Sequence, residues 1–578
     1  MDPAEAPPLL DDLTPMEKKV IEGARRGVRT GSGTTESAEA LATTDDPALQ
    51  VRADLLRELL MGRRGELDPR GVSIRGFRVM GRLDLDQVSA VAKLELTKCA
   101  LPDGTSMRGA RLRDLFMVGC VVSSINGDRL RTEGNLKLQG ISTSGPIRLL
   151  NARIGGQLDL DNSLLKNPAG PAVNMDSLLV TASIFMRGVK ATGTGESGTI
   201  RMRSAQVNGQ VEITGSRIEN TSGPALSAER LRVDNSLHLK RSTFSGCDSH
   251  STVRLTSANV VGQLSLEQAT LRNSRGAALH ADHLKTGGAL HLMGANMEGG
   301  GTEGVITLFG AQIDARVVLT KMALTGETGR LLNLANATFK QPLTMPSSLI
   351  CRQAETNTGK RRCASSDRKI SVRGFVFTDL EDITWRQWLH LLVHHTNKYF
   401  PQPYQQLAAT ERAAGHDNNA RTVLIVQQED LRRRAPEALG GLAALWRHRI
   451  WGWLGRYGYR AHRLVATLLL ALVLAGALGY GAGQVTTRPT HHAAERVLPA
   501  TAPVDAPGTA CSTAELIGLG IDRGLPIGAT GLRSRCDLDT GTRWGQAFTY
   551  AIWVLQALLW ALATLAVAAY TGLVRKPA

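Results

Sequence analysis

Aromatic residues make up only 4% of this 578-residue chain, which argues against a large core of bulky rings. Nucleotide fingerprints are missing. The Gly31-Ser32-Gly33 stretch follows no strand, and GYGAG at 479–483 closes an apolar run, so neither makes a dinucleotide site; a phosphate-cradling GxxxxGK[ST] is absent. No HExxH occurs, and none of the seven cysteines sits in a CxxC pair, so familiar zinc and dithiol motifs are excluded. The first residues, MDPAEAPPLLDDLT, lack a basic stretch and an apolar stretch, so no secretory signal is expected.

What is present is glycine, 60 residues of it, and a net charge of +16. The charge favours an anionic partner, nucleic acid or anionic lipid. The length leaves room for two or three domains. Short apolar-x-apolar segments recur at Leu158, Ile184, Val211, Leu237, Leu264, Leu290 and Val317, in steps alternating between 26 and 27. A second ladder, through Ile147, Val173, Ile200, Leu226, Val253, Leu279, Ile306 and Leu332, keeps the same alternation. The true period is therefore a 53-residue double unit. Ala152, Ala205, Ala258 and Ala311 keep that step, as do Gly170, Gly223, Gly276 and Gly329, with Asn167, Asn220 and Asn273 preceding the first three glycines. Asn beside Gly reads as a stacked turn, in which glycine supplies backbone angles strained for other residues.

These ladders predict a mainly β protein, a parallel β-solenoid (β-helix) of about ten coils of 26–27 residues. One short strand cannot bury its apolar side alone, but neighbours stacked ~4.8 Å apart can, giving a rod on the order of 50 Å long. A sandwich would not hold so fixed a period, and a horseshoe needs longer helical segments.

Outside the repeat, residues 1–46 read as a flexible N-terminal segment and 47–70 as a capping helix started by Asp46, with Val51, Leu55, Leu56, Leu59 and Leu60 on one face. The solenoid is assigned 71–350, followed by a loop or linker over 351–376. Residues 377–440 form a helical hairpin region broken at Gly415, where Ile383, Trp388, Leu391, Leu392, Tyr404, Leu407, Ala420, Val423 and Val426 face inward. A basic, aromatic helix (441–463) then precedes two apolar runs, 464–484 and 547–571, each long enough to span a bilayer.

Arg447, Arg449, Arg456, Arg460 and Arg463, interleaved with Trp451 and Trp453, are the composition that a headgroup layer favours and are expected as membrane-interface anchors on anionic lipid. The same setting turns the Arg432-Arg433-Arg434 run toward lipid rather than nucleic acid. Basic flanks on both outer ends, Arg575-Lys576 included, place both termini and the solenoid in the cytoplasm and 485–546 outside, with 572–578 a cytoplasmic tail. In that outer segment a disulfide between Cys511 and Cys536 is expected. Cys99, Cys120, Cys247, Cys351 and Cys363 then lie in a reducing compartment and read as buried or idle thiols. His390, His394 and His395 include an i, i+4 pair, and His238 and His291 occupy outward slots two coils apart. Without a third ligand in a known spacing they read as packing or surface histidines, so no metal, cofactor or catalytic residue is assigned.

The coil motifs NARIGGQLDLD, SAQVNGQVEIT and SANVVGQLSLE, the segment YQQLAATERAAGHDNNARTV, and RYGYR ahead of the paired apolar helices resemble actinobacterial pentapeptide-repeat-like membrane proteins, the Streptomyces type especially. The resemblance covers most of the chain from about residue 47. Such proteins are often called membrane-associated oxidoreductases, which the resemblance would imply here, although neither a flavin nor a nicotinamide motif accompanies it. The residues themselves point first to a membrane-anchored scaffold that recruits a protein partner. An oxidoreductase and a transmembrane sensor are the alternatives.

Overall fold

The computed structural model describes residues 9–247, 249, 251–326, 329–351, 363, 367–497, 507–525 and 534–570. The chain folds as two units, Met1–Ala414 and Gly415–Ala578.

The first unit is a parallel β-solenoid of about eleven turns with four faces, carrying fourteen, twelve, twelve and eleven strands in chain order around a coil. Most strands are only two to four residues long. On face one Leu158 lies beside Ile184, then Val211, Leu237, Leu264, Leu290 and Val317; on face three Ile147 leads through Val173 and Ile200 to Leu332. Both columns are fully buried. A two-residue strand sends one side chain in and one out, so each ladder supplies an inward apolar column and an outward row.

Above Leu158 the coils are shorter. Face one steps from Leu94 to Leu115, Leu136 and Leu158, intervals of 21, 21 and 22. The difference arises at one corner, between faces two and three. Thr143 and Ile147 are four residues apart there, whereas Leu165 and Val173 are eight.

That corner also explains the double period. From Asn167 to Gly299 its end position on face two alternates Asn and Gly, with Gly193 beside Asn220 and Gly246 between Asn220 and Asn273; the alternation ends where Gly299 meets Gly326. After Asn the turn reaches face three in six residues, as from Asn220 to Leu226; after Gly it takes seven, as from Gly193 to Ile200. Buried Asn220 accepts from the Ser222 and Gly223 amides at 2.9 and 2.7 Å and donates to the Gly195 carbonyl at 3.2 Å. In the alternate coils the Thr199 and Thr252 hydroxyls donate to the Glu219 and Arg272 carbonyls at 2.7 Å. Gly170, Gly223 and Gly276 keep ordinary angles, and at Gly223 glycine is needed for space, since a Cβ there would lie 2.0 Å from the Gly195 carbonyl oxygen; Gly329 alone of this column is left-handed. Left-handed angles occur instead between faces three and four, at Asn151, Ser177, Ser204, Arg230, Ser257 and His283. Beside them Ala152, Leu178, Ala205, Leu231, Ala258, Leu284 and Ala311 alternate small and large in a buried column, which interdigitates without voids.

Residues 9–46 are structured, contrary to the flexible segment expected. Helix α1 (Pro15–Arg26) opens with a Thr14–Glu17 capping box, Thr30–Gly31 pairs with Ile74–Arg75 at the end of face one, and a one-turn helix, α2, spans Ala38–Leu41. Gly, Ser and Thr suggested a linker, but here their backbone covers an open strand edge. Asp46 caps the turn Pro47–Leu49; Val51 belongs to the first strand of face two, and the capping helix α3 is Ala53–Leu60.

At the other end the repeat outlasts Met345. After an excursion from Pro346, Lys369–Ser371, Val376–Phe377 and Leu380–Glu381 add one more coil to faces three, four and one. The 351–376 linker therefore contains solenoid strands, which the polar insertion had masked. Helix α4 (Trp385–His394), started by a Thr384–Gln387 capping box, places Trp388 against Phe375 and Phe377 at 6.3 and 5.8 Å between ring centres. Helix α5 follows over Pro401–Ala413.

In the second unit, α6 (Asp417–Arg434) and α7 (Leu442–Gly455) lead into α8 (Ala461–Gln484), and α10 (Arg543–Tyr570) ends the described chain. Two helical stretches, His462–Gln484 and Arg543–Ala568, are long and apolar enough to cross a membrane. They meet through Leu464, Ala471, Ala475, Leu555, Leu559 and Leu562. Between them, α9 (Thr513–Gly524) runs antiparallel to α8, with Leu516 against Gly483 and Gly520 against Ala475. A Cβ on Gly520 would stand 2.0 Å from the Ala475 carbonyl oxygen, so small residues let the two backbones approach.

Candidate functional site

The outward rows of the solenoid are its most regular chemical surface. On face four Arg111, Arg131 and Arg153 stand in register on three successive coils, all exposed, and none forms an ion pair among the described residues. Elsewhere cations are engaged by acids one coil away, as in Arg108–Asp86, Arg148–Asp128 and Arg187–Asp161. His238 and His291 do face outward on face one, with Ser265 between them. Burial and Lys240 push the His238 imidazole below its ordinary range. His280 is bonded to Asp282 at 3.2 Å, which pushes its imidazole up.

The histidines near 390 lie on α4 and its C-terminal cap. His390 and His395 are buried, 6% and 0% exposed, at the C-terminal end of the solenoid, facing Cys351 and Cys363, themselves 0% and 3% exposed. One ligand atom from each of the four falls within 4.8 Å of all the others. The two sulfurs are 3.2 Å apart, and the Cys351 sulfur is 3.6 Å from His390 Nε2. His395 Nδ1 lies 2.6 Å from the Arg368 carbonyl oxygen, and its Nε2 has no hydrogen-bond partner among the described residues. Burial pushes this imidazole down to about 4, so it is neutral and donates from Nδ1. The Arg368 guanidinium in turn donates to the Leu349 and Ile350 carbonyls, each at 3.0 Å. Cys351, Cys363, His390 and His395 are all buried, as buried thiols and packing histidines would be, and the last coil and α4 bring them together. Only the i, i+4 step from His390 to His394 was visible in the sequence, and it joins a residue of the cluster to one outside it. His394 lies outside the set, its ring 4.7 Å from that of His390. Cys99 and Cys120 are buried in adjacent coils, and Cys247 is half-buried.

In the second unit, Arg447, Arg449, Trp453, Arg460 and Arg463 are exposed. Two of the expected anchors are otherwise employed: Arg456 pairs with Glu429, and Trp451 packs on the cluster between α8 and α10. The chain turns at Arg456 and Tyr457, both left-handed, and this folds Trp451 inward. Arg433 and Arg434 of the basic run are held by Asp430. Cys511 and Cys536 form a disulfide with Cα atoms 6.4 Å apart; Cys536 starts a strand that pairs with Ala494–Arg496.

No protein-family model, curated protein or solved structure matches the chain.

Proposed function

We propose that the protein is a membrane-anchored scaffold whose solenoid recruits a protein with an acidic surface to the inner face of the membrane. The observation that carries this reading is the Arg111–Arg131–Arg153 row. Three exposed cations repeat ~4.8 Å apart on a rigid face, while Arg108, Arg148 and Arg187 are neutralised within the fold, and a row of carboxylates matches that arrangement by charge. The two apolar helices supply the anchor. The exposed Arg447, Arg449, Arg460 and Arg463 beside the first of them favour a cytoplasmic solenoid by charge asymmetry and contact with anionic headgroups.

The likeness to pentapeptide-repeat-like proteins belongs to this reading. Coils of 20–22 residues with four short sides are what four five-residue sides produce. The oxidoreductase reading gains no support of its own from the geometry.

The test is site-specific photo-cross-linking in intact cells, with the probe at Arg131 on face four or Lys190 on face two. One protein captured at 131 and not at 190, and lost on Arg153→Glu, is the expected result. Equal labelling from both faces, or transfer to phospholipid alone, would overturn it.

A further inference from the structure

We propose that Cys351, Cys363, His390 and His395 bind a structural zinc ion that locks the C-terminal end of the solenoid. Two sulfurs and two imidazole nitrogens are a donor set that zinc binds tetrahedrally. With metal–sulfur and metal–nitrogen bonds of about 2.3 and 2.0–2.1 Å, donor atoms around such an ion stand roughly 3.3–3.8 Å apart. The Cys351–His390 separation, 3.6 Å, lies at that spacing; the two sulfurs, 3.2 Å apart, stand slightly closer than it, and every pair is within 4.8 Å. Two thiolates also cancel the charge of a divalent ion, as burial of all four side chains requires.

The strongest single observation is His395. Its Nδ1–H is held by the Arg368 carbonyl, which fixes the tautomer and leaves Nε2 with the free lone pair. That atom is buried and has no hydrogen-bond partner among the described residues. An orphaned buried acceptor is costly, and a ring oriented through its other nitrogen by a backbone carbonyl is the usual support of a metal-bound histidine. Arg368 adds a second constraint through the carbonyls just before Cys351. One residue thereby positions two of the four ligands.

The competing fate of the cluster is a Cys351–Cys363 disulfide, since the sulfurs are close. It would leave the convergence of two imidazoles on them without a role. Four protein donors leave no open position, so the site is structural rather than catalytic. The ligands come from the excursion after Met345 and from the end of α4, so the ion would tie the insertion to the helix that covers the last coil.

The experiment uses the full chain, purified in detergent under reducing conditions without added metal, and measures zinc by elemental analysis. About one zinc per chain is expected. Replacement by cobalt should give the visible bands of a tetrahedral site and a near-ultraviolet thiolate band. Cys351→Ser and His395→Asn should each weaken zinc binding more than about tenfold, whereas His394→Ala should keep it. Should the ligand variants not fold, the cobalt spectrum and chelator-induced lowering of the melting temperature, reversed by zinc, decide on the native chain. Reduced protein that takes up neither zinc nor cobalt, or peptide mapping that shows a Cys351–Cys363 disulfide in place of metal, would overturn the proposal. So would ligand variants that fold and retain stoichiometric zinc.

Discussion

At its N-terminal end the solenoid is covered by a segment fastened through carboxylates. Glu17, 1% exposed, accepts from the Arg52 backbone and guanidinium, and Glu58 accepts from the Leu10 amide and from Arg64. At the C-terminal end the cover is α4, whose Trp388 is seated on Phe375 and Phe377 beside Phe339, with sulfur and imidazole groups at its edge. Both ends face the same demand, the hiding of unpaired strand edges and of the last apolar layer. The N-terminal cover approaches from outside the repeat and is held by directional ion pairs. The C-terminal one grows out of the last coil and is held by area and shape. A cap made of ion pairs should therefore respond to pH and to loss of one partner, and a cap made of rings to loss of volume.

The largest expected effect is at the C-terminal end. Trp388→Ala removes a fully buried ring and should cost about 3–5 kcal/mol, read from urea unfolding of the detergent-solubilised chain. A loss under about 1 kcal/mol would show that the aromatic cluster is not what holds α4.

Next comes Arg52→Met, which leaves Glu17 buried without its guanidinium. Breaking a buried pair costs about 3–5 kcal/mol; because the Arg52 side chain is 29% exposed, about 2–3 kcal/mol is expected here. Adding Glu17→Gln should recover part of it. A double variant no better than the single would mean that the pair is not the fastening.

The same pair predicts a pH response confined to one end. Burial pushes the Glu17 carboxyl up, but hydrogen bonds from Arg52 and Thr14 outweigh it and hold it below its ordinary 4.5. A depressed folded-state value means that its contribution is complete above the unfolded value and fades as pH falls through the folded one. Hydrogen-exchange protection of residues 9–46 should accordingly drop as pH falls below 4.5. In Arg52→Met that drop should be blunted. Equal loss of protection along the middle coils would point to global unfolding instead.

A smaller effect is expected between the ends. Asn220→Ala frees two amides and a carbonyl at one corner and should cost about 1–2 kcal/mol, against less than about 0.5 kcal/mol for the exposed Arg131→Ala. If Asn220→Ala unfolds the rod as readily as Trp388→Ala, the middle rather than the ends limits stability.

The middle of the rod was legible in the sequence because stacking forces inward positions into columns: the ladders from Leu158 and Ile147 are the buried columns of faces one and three, with their partners in register. The caps were not legible for the opposite reason. Thr30–Gly31 and Gln50–Arg52 pair with distant strands through backbone groups, which leave no side-chain pattern, and Val51 fitted a helical stripe as well as a strand. The C-terminal cluster was hidden because its donors come from three stretches, and only a completed last coil brings Cys351 and Cys363 up to His390 and His395. The histidine spacing suggested His390 with His394, whereas the helix ends so that His395 turns inward instead.

The alternation of Asn and Gly at one corner sets the smallest increment by which this rod can lengthen or shorten. Removing a single coil from this stretch would stack Asn on Asn, or bring together two corners of the same length. Removing the 53 residues from Leu158 to Gln210 would rejoin like with like and leave both covers untouched. The chain is thus a graduated measure, its length adjustable in steps of ~10 Å, two strand spacings, and duplication of one pair of coils would set its two covers that much farther apart without new chemistry at either end.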